Sequence, residues 1–107
     1  MSEDLEKKTY YACLFEYYKN LLTTKQVDIF ISYYDEDYSL SEIAESLNIS
    51  RNAVWDTLKK VTSILDNYEQ KLCLYQKDLE LSKYLNKLKN HVDDEGLKII
   101  NEIEERE

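Results

Sequence analysis

A chain with no proline and a single glycine can fold into little other than helices. Its 107 residues lack the strongest helix breaker and nearly lack the residue that many tight turns require. A chain of this length supports one modest core and is too short for two. We therefore predict an all-α fold in which residues 1–107 form a single helical domain.

Apolar periodicity and helix-capping residues divide the chain into elements. Apolar steps of three or four predict a first helix over about residues 4–22, and Thr23 or Thr24 can cap a second helix. The side chains expected to face inward from that second helix are Val27, Phe30, Ile31 and Tyr34. A short acidic turn follows, and a short final helix is predicted over about residues 94–105.

The stretch YSLSEIAESLNISRNAVWDTLKKV, residues 38–61, has the layout of a helix-turn-helix. Ser39 stands three residues before Glu42, which is the capping-box arrangement at a helix start. Ser50 is placed to cap the second helix after the three-residue turn LNI. We therefore predict a helix-turn-helix core within residues 23–61.

Three internal positions of this stretch suit the packing of such a motif. Ala44 is small enough for the two helices to cross, and Asn48 can adopt the left-handed conformation of the turn. Val54 supplies an apolar anchor for the second helix. The other core side chains expected here are Leu40, Ile43, Leu47 and Leu58. Thr57 departs from the pattern, because an apolar anchor is more usual at its position.

The start of the second helix carries side chains able to read nucleic acid. Arg51 and Asn52 can form bidentate hydrogen bonds with guanine and adenine edges, respectively. The backbone N–H groups that follow Ser50 can hold a phosphate. Trp55 either stacks on or packs against the nucleic acid, or is partly buried in a core or an interface.

The charge balance limits how strongly this face can bind. The chain has a formal net charge of −8, whereas residues 49–61 carry +2. Lys59 and Lys60 could reach the sugar-phosphate backbone, with Lys25 as a further cation, but Asp56 stands beside them. Because phosphate contacts supply much of the affinity, we expect weak and salt-sensitive binding, for which a dimer would double the number of cations.

Residues 51–90 contain no breaker and predict one long helix. Its heptad seam consists of Leu58, Leu65, Tyr68, Leu72, Tyr75 and Leu79. Three to four heptads are the minimum for a coiled coil. The seam can pack on the first helix of the same chain or join two copies. A helix of ~60 Å is too long for the first helix to cover, so we predict that residues 62–107 support packing or homodimerisation.

Metal and enzymatic chemistry lack the residues they need. Cys13 and Cys73 are far apart and His91 is the only histidine, so four clustered ligands cannot be assembled. One glycine rules out a glycine-rich phosphate loop, and no catalytic Ser/His/Asp or Cys/His pairing is visible. The acidic run at residues 93–95 is better explained as a solvated helix start. We predict no metal, no cofactor and no enzymatic activity.

Targeting and membrane signals are also missing from the sequence. No apolar run approaches the ~20 residues of a membrane span, and the opening MSEDLEKK does not resemble a signal peptide. We expect a soluble cytoplasmic protein with reduced thiols and no membrane partner.

Residues 22–61, LTTKQVDIFISYYDEDYSLSEIAESLNISRNAVWDTLKKV, resemble the last, promoter-reading region of bacterial sigma factors. More specifically, nearly the whole chain resembles the YlxM family of small bacterial helix-turn-helix proteins, through FEYYKNLLTTKQ, YYDEDYSLSEIAE, SRNAVWD and YEQKLCLYQK. The sigma-like pattern favours cationic side chains where Trp55 and Asp56 stand, so tight promoter reading by a monomer is not expected.

The YlxM resemblance implies an all-helical, non-enzymatic DNA-binding protein that is linked by gene neighbourhood to the signal recognition particle. It places the recognition helix at residues 50–60. The first hypothesis is therefore a nucleic-acid-binding regulator. The alternative is an interaction module for protein or RNA components of the signal recognition particle, which uses the heptad helix and tyrosines without sequence-specific DNA reading.

Overall fold

The computed structural model describes residues 2–106, with side chains from residue 5 onward, and this range holds six α-helices and no strand. The helices are α1 Ser2–Tyr18, α2 Thr24–Tyr34, α3 Leu40–Leu47, α4 Arg51–Leu72, α5 Leu74–Leu88 and α6 Asp94–Glu105. Single 3₁₀ turns at Lys19–Leu21 and Lys89–His91 follow α1 and α5. The predicted all-α class is confirmed.

The chain divides into two compact units, Met1–Cys73 and Leu74–Glu107. We call them the N-terminal unit and the C-terminal unit. The N-terminal unit contains α1 to α4, and the C-terminal unit contains α5 and α6. The predicted helix-turn-helix therefore lies wholly within the N-terminal unit.

The core around the motif forms where α2, α3 and α4 meet. Its buried side chains are Ile29, Ile43, Ala44, Val54 and Leu58. Ile29 was not among the inward-facing residues predicted for α2, whereas Val27 and Ile31, which were, are only half-buried. The reason is that α2 packs on two sides: the predicted Phe30 is buried against α1, whereas Ile29 is buried in the cluster with α3 and α4.

A second set of contacts stacks aromatic rings between α1 and α2. The ring centroids of Phe15 and Phe30 lie 4.3 Å apart with planes 10° from parallel. Phe30 in turn stacks on Tyr34, with centroids 4.2 Å apart. These rings give the N-terminal unit a large apolar contact from few side chains.

Tyrosine hydroxyls tie α1 to the second half of α4. The Tyr18 hydroxyl donates to the Glu69 carboxylate over 2.6 Å, and the Tyr11 hydroxyl donates to Asp66 over 2.9 Å. Partial burial, followed by the hydrogen bond to Asp66, raises the pKa of Tyr11 to about 12. The ring of Tyr18 also stacks on Tyr68, with centroids 5.8 Å apart. Part of the predicted heptad seam is therefore covered by α1 of the same chain.

The long helix predicted over residues 51–90 is interrupted, which corrects that expectation. α4 ends at Leu72, and Cys73 adopts the left-handed conformation with φ 56° while its N–H donates to the Glu69 carbonyl over 2.9 Å. This is the single-bond C-cap that glycine usually makes. Because a cysteine occupies the position, the sequence contains no breaker that would signal the end of α4.

The C-terminal unit is a pair of helices with a small buried set. Leu85 and Ile100 are its buried apolar side chains. Asp93 caps α6 by accepting from the Gly96 N–H over 2.8 Å, and Lys89 pairs with Glu104 at 2.7 Å. The bounds predicted for the final helix, residues 94–105, are confirmed.

None of the helices within residues 2–106 combines the length and the apolar character needed to cross a membrane.

Candidate nucleic-acid interface

The first helix of the motif, α3, begins with two reciprocal hydrogen bonds. The Glu42 N–H donates to the Ser39 hydroxyl over 3.0 Å, and the Ser39 N–H donates to the Glu42 carboxylate over 3.0 Å. Hydrogen bonding with Ser39 lowers the pKa of Glu42, and the bond to the Ser39 backbone has a larger effect than the bond to its side chain. The capping box predicted from the sequence is confirmed, and it sets where α3 starts after the acidic turn.

The turn between α3 and α4 is made by Asn48. Its backbone is left-handed, with φ 56° and ψ 45°, a conformation that asparagine tolerates better than most residues. The N–H groups of Asn48 and Ile49 donate to the carbonyls of Glu45 and Ala44 over 3.3 and 3.0 Å. The turning role predicted for Asn48 is confirmed.

The second helix, α4, is capped and anchored as predicted. The Ser50 hydroxyl accepts from the Ala53 N–H over 3.0 Å, which satisfies one of the free donors of the first turn. Val54 is fully buried, and Ala44 is buried where α3 meets α4. With Val54 facing the core, the opposite side of the first turns of α4 faces solvent.

Two residues of the motif depart from their predicted environments. Leu47, expected in the core, is 43% exposed. Thr57, which stands where an apolar anchor is more usual, is half-buried and donates its hydroxyl to the Ala53 carbonyl over 3.0 Å. The neighbouring Leu58 is buried and serves as the anchor.

The outward face of α4 carries the predicted binding residues together. Arg51, Asn52, Trp55, Lys59 and Lys60 are all exposed, and Ser50 lies at the start of the same helix. Trp55 is 45% exposed, so it is not a core residue, whereas the alternative of a partly buried interface residue stays open. The face offers cationic, amide and aromatic groups along the first three turns of one helix.

An acidic neighbour engages one of the cations. The Lys59 ammonium lies 3.6 Å from the Asp56 carboxylate, and both side chains are largely exposed. An exposed pair of this kind is worth little. It nevertheless lowers the local positive charge around Lys59.

Lys25 lies on another helix. It is exposed in the first turn of α2, within the capping box in which the Gln26 N–H donates to the Thr23 hydroxyl over 3.2 Å. This choice of cap settles the alternative between Thr23 and Thr24. Lys25 is thus a candidate for a separate phosphate contact outside the α4 face.

A shallow concavity of about 280 Å³ opens at the start of α4. It is lined by Leu40 from α3 and by Arg51, Asn52 and Trp55 from α4. Sequence reasoning assigned the three α4 residues to binding but placed Leu40 only in the core. Leu40 and Trp55 line the same concavity because of the way α3 crosses α4, and no local sequence pattern reveals that crossing.

The residues predicted to join two copies occupy different environments. Leu58 and Leu65 are buried within this chain, and Tyr68 stacks on Tyr18, so these three do not form an exposed seam. Leu72 and Leu79 are exposed, and Tyr75 is half-buried. The predicted seam is therefore partly buried within α4, while Leu72 in α4 and Leu79 in α5 are each exposed.

Within the described part of the chain, no three His, Cys, Asp or Glu side chains are grouped so that they could hold a metal ion. Cys13 and Cys73 are both free thiols of intermediate exposure. The chemistry available at this surface is hydrogen bonding, stacking and ion pairing.

Comparison with known proteins matches the chain to a family. The family model UPF0122, described as "Putative helix-turn-helix protein, YlxM / p13 like", matches residues 5–106. A UPF0122 protein of Anoxybacillus flavithermus is 43% identical over 109 residues, covering 96% of this chain and 99% of that protein. UPF0122 proteins of Bacillus cereus and Bacillus anthracis are each 42% identical over 106 residues, covering 94% of this chain and 96% of theirs.

Proposed function

The chain belongs to the UPF0122 family of YlxM- and p13-like helix-turn-helix proteins, and from that premise we propose that it is a non-enzymatic DNA-binding regulatory protein of the cytoplasm. The observation that carries the proposal is the outward face of α4. A capped, anchored helix presents Arg51, Asn52, Trp55 and Lys60 to solvent. The family is a helix-turn-helix family and not an enzyme family.

Each group on this face has a distinct role in the proposal. Arg51 and Asn52 contact base edges, for which their planar, bidentate hydrogen-bonding groups are suited. The first N–H groups of α4 hold a phosphate beside Ser50. Lys59 and Lys60, one turn further along the helix, contact the sugar-phosphate backbone.

The same face sets a limit on affinity. Few cations lie on it, and Lys59 is shared with Asp56. With about three or four phosphate contacts per chain, log K should fall with log salt concentration at a slope of about −3. We therefore propose weak binding by one chain and stronger binding by two chains on adjacent sites.

The proposal is tested by fluorescence anisotropy of labelled duplex DNA over a series of salt concentrations. Lys60→Ala should reduce the salt slope by about 1 and weaken all sequences alike. Arg51→Ala should cost about 1–3 kcal/mol on a preferred sequence and relax the preference. The matched control is Lys71→Ala, which removes an exposed lysine from the last turn of the same helix.

Two results would contradict the proposal. Absence of binding at low salt by the wild-type protein would reject nucleic-acid binding altogether. Equal losses for Lys71→Ala and Lys60→Ala would show that binding follows total charge and not the α4 face. The preferred sequence itself comes from selection on a random duplex pool.

A second candidate function is favoured by the apolar surface of the C-terminal unit. Large apolar side chains are exposed there, namely Leu74, Leu79, Leu81, Tyr84, Leu88, Leu97, Ile99 and Ile103. Contiguous exposed apolar surface is typical of protein–protein contacts. On this alternative the chain is an interaction module for protein or RNA components of the signal recognition particle, the pathway that the YlxM resemblance implies.

The two candidate functions can be distinguished by which part of the chain each of them requires for binding. Capture from a native lysate is compared for the wild-type chain, for Arg51→Ala/Lys60→Ala and for Leu79→Lys/Leu88→Lys. On the second candidate the wild-type chain and the cation variant should recover signal recognition particle components. Loss only in the leucine variant supports the interaction module, and loss only in the cation variant supports the nucleic-acid role.

Homodimerisation is a further part of the proposal. Leu72 and Leu79 remain exposed, and a second copy would cover them while doubling the cations brought to DNA. Sedimentation at micromolar concentration tests this directly. A clean monomer that still binds duplex DNA would remove dimerisation from the proposal.

A further inference from the structure

Trp55 exposes a large, mostly apolar ring to solvent. It is the only tryptophan of the chain and is 45% exposed on the outward face of α4. Tryptophan gains most when a ring or an apolar surface covers its face. An exposed tryptophan among binding residues is therefore a candidate stacking platform.

The surroundings of Trp55 form a shallow site with mixed chemistry. The concavity of about 280 Å³ has Leu40 on the α3 side and Arg51, Asn52 and Trp55 on the α4 side. Trp55 and Leu40 supply apolar surface, Asn52 supplies an amide donor and acceptor, and Arg51 supplies a planar cation. A flat heteroaromatic ring with a hydrogen-bonding edge and an attached phosphate needs these same three kinds of partner.

A paired base cannot use this site through its face. In a duplex the faces of a base are stacked on its neighbours, and only its edges are open in the groove. Stacking on Trp55 therefore requires a base that has left the stack, as in a bulge, a loop or a single strand.

We infer that the concavity between Leu40 and Trp55 is a subsite for one unpaired nucleobase. Trp55 stacks on its face, Arg51 and Asn52 bond its edge, and the first N–H groups of α4 hold the adjoining phosphate. The inference deepens the proposed nucleic-acid-binding function and rests on it. The base can belong to a locally opened DNA or to an RNA loop, since both offer the same ring.

Trp55 is its own reporter, because no other tryptophan contributes to the emission. The probes are an intact DNA duplex, the same duplex with a single-nucleotide bulge, the corresponding single strand, and an RNA hairpin with an open loop. We expect quenching of Trp55 emission by the three probes that offer unpaired bases and little quenching by the intact duplex. The bulged duplex should bind roughly tenfold tighter than the intact one.

Two variants are measured by anisotropy with the same probes. Trp55→Leu should abolish the preference for the bulged duplex over the intact one. Tyr38→Leu is the matched control, since Tyr38 is 46% exposed and lies outside the concavity, and it should keep the preference. Quenching of the unmodified protein needs no variant, so the test holds even if Trp55→Leu folds poorly.

The outcomes separate the subsite from the proposed function. Equal affinity for bulged and intact duplexes, with unchanged emission, overturns the subsite and leaves the proposed function standing. No binding to any probe at low salt overturns both. Quenching by bulged DNA alone or by the RNA hairpin alone supports the subsite and identifies the source of the base.

Discussion

The N-terminal and C-terminal units differ in how far they bury leucines that follow the same sequence pattern. In the N-terminal unit, α4 buries Val54, Leu58, Val61 and Leu65. In the C-terminal unit, α5 buries one apolar side chain, Leu85, although apolar residues recur along it just as regularly. The heptad pattern runs through both helices, so the sequence pattern alone does not decide whether a leucine is covered.

The difference lies in the number of helices available to cover each surface. The N-terminal unit packs α1, α2 and α3 around α4, and the contacts include stacked rings and tyrosine hydrogen bonds. The C-terminal unit has two helices, and a helix pair this short rarely buries enough apolar surface to be stable by its own contacts. The exposed leucines of the C-terminal unit are therefore suited to contact a partner. The buried leucines of α4 instead stabilise the fold.

The largest expected effect compares two leucines of one heptad position, fourteen residues apart. Leu65 is fully buried, and Leu79 is 48% exposed. Leu65→Ala should lower the free energy of unfolding by about 2–5 kcal/mol, through lost burial and a cavity. Leu79→Ala should change it by no more than about 0.5 kcal/mol. Urea unfolding followed by circular dichroism measures both.

The same pair of variants can break the comparison. If Leu79→Ala costs as much as Leu65→Ala, and if its cost grows with protein concentration, the exposed surface is covered by a second copy in solution. A large and concentration-independent cost would instead contradict the exposure of Leu79 in the monomer. Leu47→Ala, at an exposed leucine of α3 in the N-terminal unit, serves as the control.

The next largest expected effect on the free energy of unfolding comes from the close packing at the start of α6. A Cβ added to Gly96 would lie 2.7 Å from the Cβ of Val92, which is attached directly to the backbone and has little room to move. Gly→Ala in an open helix stabilises by up to about 1 kcal/mol, but here we expect a loss of about 1–3 kcal/mol from overpacking. Protection of the α5 and α6 amides from hydrogen exchange should fall, and that of α4 should not.

A paired substitution separates the clash from helix propensity. Val92→Gly/Gly96→Ala removes the Cβ that the added methyl group would meet, so the double variant should lose less stability than the sum of the two single variants. A Gly96→Ala chain that is more stable than the wild type would show that Val92 moves away at little cost, and that the C-terminal unit is loosely packed.

Much of the helix-turn-helix could be predicted from the sequence, because its determinants are local. Ser39, Asn48 and Ser50 act on backbone groups within four residues of themselves, so their spacing alone specifies the caps and the turn. The start of α6 at Asp93 follows from the same local chemistry. The outward positions on α4 then follow from helical periodicity once Val54 is placed inside.

The rest depends on contacts that the sequence does not contain locally. The break at Cys73 escaped prediction because no glycine or proline marks it. The choice of Ile29 over Val27 as the buried residue of α2 depends on the angle at which three helices meet. The concavity at Trp55 needs Leu40 from a neighbouring helix, and its role as a base subsite stays a prediction.

A smaller effect is expected at the boundary between the units. Cys73 holds φ 56°, which costs an ordinary residue about 1–2 kcal/mol and costs glycine almost nothing sterically. Cys73→Gly should raise the free energy of unfolding by up to about 1 kcal/mol after the entropy of glycine is subtracted. Asn48 has the same φ, but asparagine tolerates this conformation better, so Asn48→Gly should raise the free energy of unfolding by less. A destabilised Cys73→Gly would argue that the side chain has packing worth more than the strain.

The smallest expected effect is a pH dependence within the N-terminal unit. α3 has a reciprocal capping box, whereas the cap of α6 is a single hydrogen bond to Asp93. The pKa of Glu42 is lowered from 4.5 by hydrogen bonding with Ser39. A carboxyl with a lowered folded pKa stabilises the fold above its unfolded pKa, and that stabilisation is lost as the pH falls through the folded value.

Glu42→Gln keeps an oxygen acceptor but cannot ionise, so it isolates this contribution. The difference in unfolding free energy between wild type and Glu42→Gln should be constant above pH 4.5 and shrink below it. Urea unfolding over a series of pH values measures the difference. In a Ser39→Ala background the pH-dependent part should be smaller, since the hydroxyl partner is gone. A difference that grows on acidification would have the wrong sign for a lowered pKa, and the capping box would then not be the reason α3 starts at Leu40.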